Sequence, residues 1–317
     1  MGMPTQQRFS RLFGCLTLFM MLSPSALAGT KANLHSCSKT GVQLQILGSG
    51  GPELGDRRAS SSYLVWLDGR ARVLIDVGGG SSLNFGRSGA KMEDLDVILF
   101  SHFHVDHSAD LPALIKSSFF DDRQRDLPVY GPSGSPWMPD TEDFLESLFG
   151  IEGAFRYLSP FLDEGRSNGY RLSAKVLDVD KRTIQQAFAN ERITTTAIAV
   201  HHGPLPALAW RVELAGKSIV FSGDMNGDYR TLPLLAKNAD LLLAHNAVPE
   251  GARGVERKLH MPPTVIGEIA GQARVKQLVL SHRMKRTLGK EQQTQDNIRK
   301  HYHGPFLFAD DLQCITP

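Results

Sequence analysis

The run Ser101-His-Phe-His-Val-Asp-His107 sets His102, His104, Asp106 and His107 within six positions. Imidazole nitrogens and carboxylate oxygens are the ligand atoms of zinc and other borderline divalent metals. This spacing can serve two ions a few ångströms apart. Two ions sharing a water lower its pKa from near 15.7 toward about 7 and so supply hydroxide at neutral pH. The same ions can clamp the oxygens of a phosphoryl, sulfuryl or acyl group under attack. The run therefore points to metal-assisted hydrolysis, against the bland alternative of a chance polar cluster.

Such a loop needs a rigid element to carry it. Leu95–Phe100 is apolar and β-branched and reads as a buried strand. Val42–Leu47, Ser62–Leu67 and Val73–Val77 read as strands before it, and a helix is expected at Ala109–Phe120. Pro128–Pro132 reads as a short strand and turn, and Asp140–Phe149 as a short amphipathic helix. The rest of 133–190 has no clear period; it is expected to form part of the site's rim. Strands resume at Ile193–Val200, Ala207–Leu214, Ser218–Phe221 and Leu241–Ala244, and a helix at Pro262–Ala273 leads into a strand at Val275–Leu280. Three of these later strands end in metal-ligand residue types: His201-His202, Asp224 and His282. Singly each could cap a turn; together they repeat one scheme, a ligand delivered at the carboxyl end of a strand, where α/β sheets collect their sites. Two sets of strands, each followed by helices, imply an α/β domain of two facing sheets with helices outside.

The N-terminus bounds the compartment. Arg8 and Arg11 precede an apolar stretch from Leu12 to Leu22, and Ala26-Leu27-Ala28 forms an A-x-A cleavage signal. Residues 1–28 are thus expected to be a secretory signal peptide, leaving a periplasmic or secreted domain over 29–317. Cys15 lies inside the apolar stretch and not after it, which argues against a lipoprotein. No other run approaches ~18 uninterrupted apolar residues, so no membrane span is expected after cleavage. Cys37 and Cys314 remain, and in an oxidising compartment they are candidates for a disulfide joining the chain ends.

The two signal arginines account for the whole formal charge of +2, so the mature chain is balanced. On that ground no nucleic-acid partner is expected. Locally, Arg274, Lys276, Arg283, Lys285, Arg286, Lys290, Arg299 and Lys300 face only Glu291 and Asp296. This excess around His282 reads either as a solvated face or as a field drawing an anionic substrate to the metals.

With these motifs in order, the chain resembles the metallo-β-lactamase superfamily, in particular the branch of ribonuclease Z, the arylsulfatases of this fold and related phosphodiesterases. Leu47-Gly-Ser-Gly-Gly-Pro52, Ser60-Ser-Ser-Tyr-Leu-Val65 and His202-Gly-Pro-Leu-Pro-Ala-Leu-Ala-Trp-Arg211 support the likeness. The resemblance implies an αββα sandwich and two Zn2+ ions per chain. His102, His104 and His202 would hold one ion and Asp106, His107 and His282 the other, with Asp224 bridging. His202 is preferred to His201 for its spacing to Pro206 and Trp210. Asp106 would also orient the nucleophile and accept its proton.

His260 lies in Lys258-Leu-His-Met-Pro-Pro-Thr264, where ribonuclease Z-like proteins carry a histidine that contacts the substrate's anionic group. It would stabilise transition-state charge or protonate the leaving group, unless it merely caps the following helix. The run Ala244-His-Asn-Ala-Val248 departs from the family, whose histidine there is usually followed by Glu. Asn246 cannot take a proton or pair a charge as that Glu could.

The leading expectation is an exported dinuclear zinc hydrolase of a small anionic ester, a phosphodiester or aryl sulfate. The alternatives are a lactonase or β-lactamase-type hydrolase, which the bridging Asp224 and the Ser-Gly-Gly-Pro loop fit less well, and a non-catalytic periplasmic metal-binding protein, which the intact ligand set disfavours. Oligomeric state is left open.

Overall fold

The computed structural model describes Gly2 and residues 36–163 and 169–317; the expected signal peptide lies almost wholly outside the described residues. One sheet is built from β1 (Val42–Gly48), β2 (Ser62–Leu67), β3 (Arg70–Ile75), β4 (Val97–Leu99), β5 (Leu127–Pro132) and β6 (Leu172–Leu177). The other takes β7 (Gln185–Ala189), β8 (Ile193–His202), β9 (Leu205–Leu214), β10 (Lys217–Phe221), β11 (Leu241–His245), β12 (Gln277–Ser281) and β13 (Phe306–Phe308). The last strand, β14 (Cys314–Ile315), returns to pair with β1, giving orders β14-β1-β2-β3-β4-β5-β6 and β13-β12-β11-β10-β9-β8-β7.

Period-two alternation assigns every side chain a layer. Tyr63, Val65, Val73, Ile75, Val97 and Leu99 of the first sheet meet Trp210, Phe221, Leu241, Leu243 and Val279 of the second in a core between the sheets. The intervening Leu64, Leu74 and Ile98 face outward to a core shared with α1 (Ser81–Ser88), α3 (Leu111–Ser118) and α4 (Thr141–Phe149), with the short α2 (Val105–Ser108) in the loop after β4. Leu242, Ala244, Leu278 and Leu280 do the same on the other side, where α5 (Leu232–Leu235), α6 (Val255–Leu259), α7 (Pro263–Ala273) and α8 (Glu291–Ile298) follow. These strands are apolar on both faces because both faces are covered, so they read as continuous runs. The expected αββα sandwich is what forms.

The differences are local. The helix expected at Ala109–Phe120 forms as α3, opened by Asp110 and Pro112, and a further short helix, α2, precedes it inside the metal run. Residues 133–190 hold β6 and β7, the edge strands of the two sheets. Their half-exposed residues lack clean alternation. Among the described residues no helix is long and apolar enough to cross a membrane. Cys37 and Cys314 are joined in a disulfide, with Cα atoms 5.5 Å apart.

Two hydrogen bonds between the sheets fix the mouth of the sandwich. The Trp210 indole N–H donates to the Phe100 carbonyl (2.9 Å), and Leu208 N–H to the Ser101 carbonyl (2.9 Å). Gly223 (φ +57°) passes so close that a Cβ there would sit 2.8 Å from the Leu208 oxygen and 2.9 Å from the Ser101 Cβ. The strand end carrying Asp224 is thereby drawn against the loop carrying His102.

Candidate metal centre

The ligand-type residues lie at or shortly past strand ends, except Asp106 and His107, which the short helix α2 carries. β4 leads through Phe100 into Ser101-His102, and α2 turns Asp106 and His107 back toward it. Asp76, following β3, accepts from Ser101 N–H (2.7 Å), Ser101 Oγ (2.8 Å) and His107 Nδ1 (2.8 Å). That last bond fixes the His107 tautomer and aims its Nε2 into the centre. β8 ends in His202, whose Nδ1–H donates to the Leu259 carbonyl (2.9 Å), so its Nε2 also points inward.

Three imidazole nitrogens converge. His104 Nδ1 lies 2.9 Å from His102 Nε2 and 3.3 Å from His202 Nε2. Asp224 Oδ2 stands 3.9 Å from His102 Nε2, 3.8 Å from His202 Nε2 and 3.6 Å from His107 Nε2. Its Oδ1 lies 3.3 Å from His282 Nε2. Asp106 Oδ2 closes the second group, 3.2 Å from His282 Nε2 and 3.7 Å from His107 Nε2. The structure thus brings His102, His104, Asp106, His107, His202, Asp224 and His282 together, with Asp224 facing both groups. His201 turns away: its Nδ1 meets the Asn226 side chain at 2.7 Å.

The protonation pattern suits a cation. Burial pushes His102 well down and His202 to about 4, leaving both neutral, the form that binds metal. Burial also acts against charge on His107 and His282, but Asp76, Asp106 and Asp224 outweigh it. They hold His107 well up and His282 at about 9. Asp224 stays far below the usual carboxylate range because His282, His260 and His107 overcome its desolvation. Two buried imidazolium charges here stand where divalent cations would neutralise the same carboxylates. The His107 Nε2 is buried with no hydrogen-bond partner. That orphaned atom, the converging nitrogens and the shared carboxylate fit a dinuclear zinc site.

Sequence reasoning missed three residues here. His245, at the end of β11, donates from Nδ1 to Asp224 Oδ1 (2.8 Å), and its Nε2 lies 2.9 Å from Tyr63 Oη. It also falls within metal-ligand range of His107, Asp224 and His282. With both nitrogens engaged, His245 orients Asp224. Asp76 and Tyr63 complete this support. The strand-end rule that found Asp224 and His282 applies equally to Asp76 and His245.

His260 sits between α6 and α7, its Nδ1 3.8 Å from Asp224 Oδ1 and without a hydrogen-bond partner. Pro262, not His260, occupies the N-cap of α7. Burial pushes His260 down to about 3, and Arg286 adds to the effect, which places that guanidinium within electrostatic reach. Two of the other basic residues are committed elsewhere: Arg283 is buried, paired with Glu291 and stacked on Phe308, and the exposed Lys276 pairs with Asp240. Beside the metal loop lies a cleft of 810 Å³ lined by Val105, Pro112, Lys116, Leu148, Phe155 and Tyr157. Leu148, Phe155 and Tyr157 of the 133–190 stretch line this cleft.

The family model of the beta-lactamase superfamily domain matches residues 71–283, well over half the chain. This chain is a member of the metallo-β-lactamase superfamily. Ribonuclease Z of Mycobacterium sp. (strain KMS) is 29% identical over 260 residues, covering 76% of this chain and 84% of its own. Among solved structures, the metallo-beta-lactamase fold protein YhfI from Bacillus subtilis matches with TM-score 0.65 and 20% identity, over 86% of this chain and 98% of that one. The short form of human tRNase Z matches with TM-score 0.64 and 21% identity, over the same shares. Both structural likenesses speak for the fold. The ribonuclease Z relatives correct the expectation that nucleic acid is excluded as a partner. Balanced overall charge is a poor guide here, because a net charge averages the whole surface and does not report what one local site can bind.

Proposed function

We propose that this superfamily hydrolase is an exported, two-zinc enzyme that cleaves phosphodiesters, with RNA among the substrates to be tested. The observation that carries the reading is Asp224, one carboxylate facing a three-histidine group and a group of Asp106, His107 and His282. The ribonuclease Z relatives favour phosphorus over an acyl or sulfuryl centre. Export rests on the composition of residues 1–28 and on the Cys37–Cys314 disulfide, which suits an oxidising compartment.

His102, His104 and His202 would hold one zinc, and Asp106, His107 and His282 the other, bridged by Asp224. When bound, the two ions would activate water and neutralise the phosphoryl oxygens. Asp106, held as a carboxylate, accepts a hydrogen bond from the attacking water and takes its proton. Neutral His260 donates a hydrogen bond to a phosphoryl or leaving oxygen; with its pKa at about 3, it does not serve as an imidazolium acid near neutrality. Arg286, whose Nε is held by the Ala247 carbonyl, supplies positive charge beside it.

The test is turnover of the zinc-loaded protein on bis-p-nitrophenyl phosphate, a short RNA, p-nitrophenyl sulfate, a lactone and nitrocefin. Phosphodiesters should be cleaved fastest, and His260→Ala should lower kcat more than it raises KM. Faster turnover of the lactone, nitrocefin or the sulfate would overturn the reading.

A further inference from the structure

The ligands are not anchored alike. His107 donates to Asp76 and His202 to the Leu259 carbonyl, whereas the Nδ1 of His282 is buried with no partner at all. His282 also has φ +53°, a left-handed backbone that a side chain larger than glycine's rarely adopts. Such a conformation persists only where its surroundings impose it.

The imposing element is the loop after β1. Arg283 N–H donates to the Ser49 carbonyl (3.0 Å), and Gly50 bridges to Arg283. Gly51 lies against the imidazole so closely that a Cβ would fall 2.7 Å from His282 Cε1. This loop is gripped by the C-terminal segment. Asp311 Oδ1 accepts from Ser49 N–H (2.9 Å) and Ser49 Oγ (2.6 Å), and its Oδ2 accepts from Ala59 N–H (2.7 Å). Arg58 ties the same Ser49 Oγ (2.7 Å) to the Ala309 carbonyl (3.1 Å), and Ala309 N–H donates to the Leu280 carbonyl at the end of β12 (2.8 Å). Three residues beyond Asp311 the segment is fastened by Cys314, in the disulfide and in the β1 pairing.

We propose that Asp311 is a positioning residue for His282: through Ser49 and Gly51 it takes the place of the hydrogen-bonded partner that His282 lacks. The inference rests on the reading that Asp106, His107 and His282 hold the second ion. Loss of Asp311 then loosens one metal position and spares the other, an effect that general destabilisation does not produce.

The experiment measures both zinc affinities by competition with a chromogenic chelator, with the visible spectrum of the cobalt-substituted protein as a second readout. Asp311→Asn keeps the shape while removing the charge, and Ser49→Ala is a milder companion should the first not fold. Both variants should weaken one ion by about 10- to 100-fold, the range seen when a ligand's supporting partner is lost. The other ion should be unchanged. Equal weakening of both ions, or two wild-type affinities, overturns the proposal alone. A wild-type protein that binds fewer than two ions overturns the reading of the centre and the proposal with it.

Discussion

The loop Ser101–His107 and the turn Ser281–Arg286 face each other across Asp224, and they are stiffened in different ways. In the first, support is local and polar: Asp76 receives both Ser101 and His107, and Ser101 Oγ lies 3.1 Å from His102 Nδ1. In the second, the imidazole has no hydrogen-bonded partner on Nδ1 and is held by backbone contacts from Ser49 and Gly51. Two ligand groups for one kind of ion can thus depend on unlike forces. A carboxylate partner fixes a tautomer and raises basicity, whereas packing fixes only position. The pKa directions cut across this contrast: carboxylates raise both His107 and His282 against their desolvation, while burial lowers His102.

Perturbations should separate the two sides, the largest effect coming where they meet. Asp224→Ala removes the shared carboxylate and should abolish bis-p-nitrophenyl phosphate hydrolysis by more than the ~100-fold typical of losing a ligand's partner, while lowering the bound zinc measured by elemental analysis. Asp76→Asn leaves every ligand in place but removes the carboxylate that fixes His107. Zinc competition should then show one affinity weakened by about 10- to 100-fold, and an unchanged pair would show that this support is dispensable.

Acid should act next, and unequally. In the metal-free protein His282 keeps its proton up to about 9, so a cation entering that group displaces a proton at every pH below that value. Its apparent affinity should fall by up to about tenfold per pH unit for each proton displaced as pH drops, and His107, also held up by carboxylates, adds a second. The group around His202, whose pKa lies near 4, meets no such competition until pH approaches that value. Zinc titrations between pH 6 and 9 (roughly the span between the histidine reference value and the raised one) should show one affinity sloping and the other flat. Tyr63→Phe should do least: it removes a hydroxyl 2.9 Å from His245 and 3.1 Å from Ser281, worth about 1 kcal/mol, and should lower kcat roughly fivefold with both zinc affinities nearly intact.

This contrast also explains what could be read from the chain. Ligands packed into one loop announce themselves by residue type, and alternation such as Leu241, Leu243 inward and Leu242, Ala244 outward fixes the strands that carry the rest. His245 was legible by its place at the end of a buried strand, the same signal that marks Asp224 and His282. Asp76 offered the same signal, a carboxylate directly after a buried strand. β6 and β7 were not legible because edge strands expose both faces and lose their period. The Asp311–Ser49 contact spans 262 positions and carries no local signature. In the basic run near His282, Arg283 is committed to Glu291 and Phe308 inside the fold, a pairing that residue type alone does not announce.

Hydrolysis by two ions that share Asp224 is the proposal on which the rest depends. Its most direct measurement is to strip the protein with chelator, titrate zinc back, and follow bis-p-nitrophenyl phosphate cleavage against bound metal. No turnover is expected without metal, with a rise that saturates at two zinc ions per chain and no recovery at any zinc level in Asp224→Ala. Full activity in the metal-free protein, or in the Asp224→Ala variant, would contradict it.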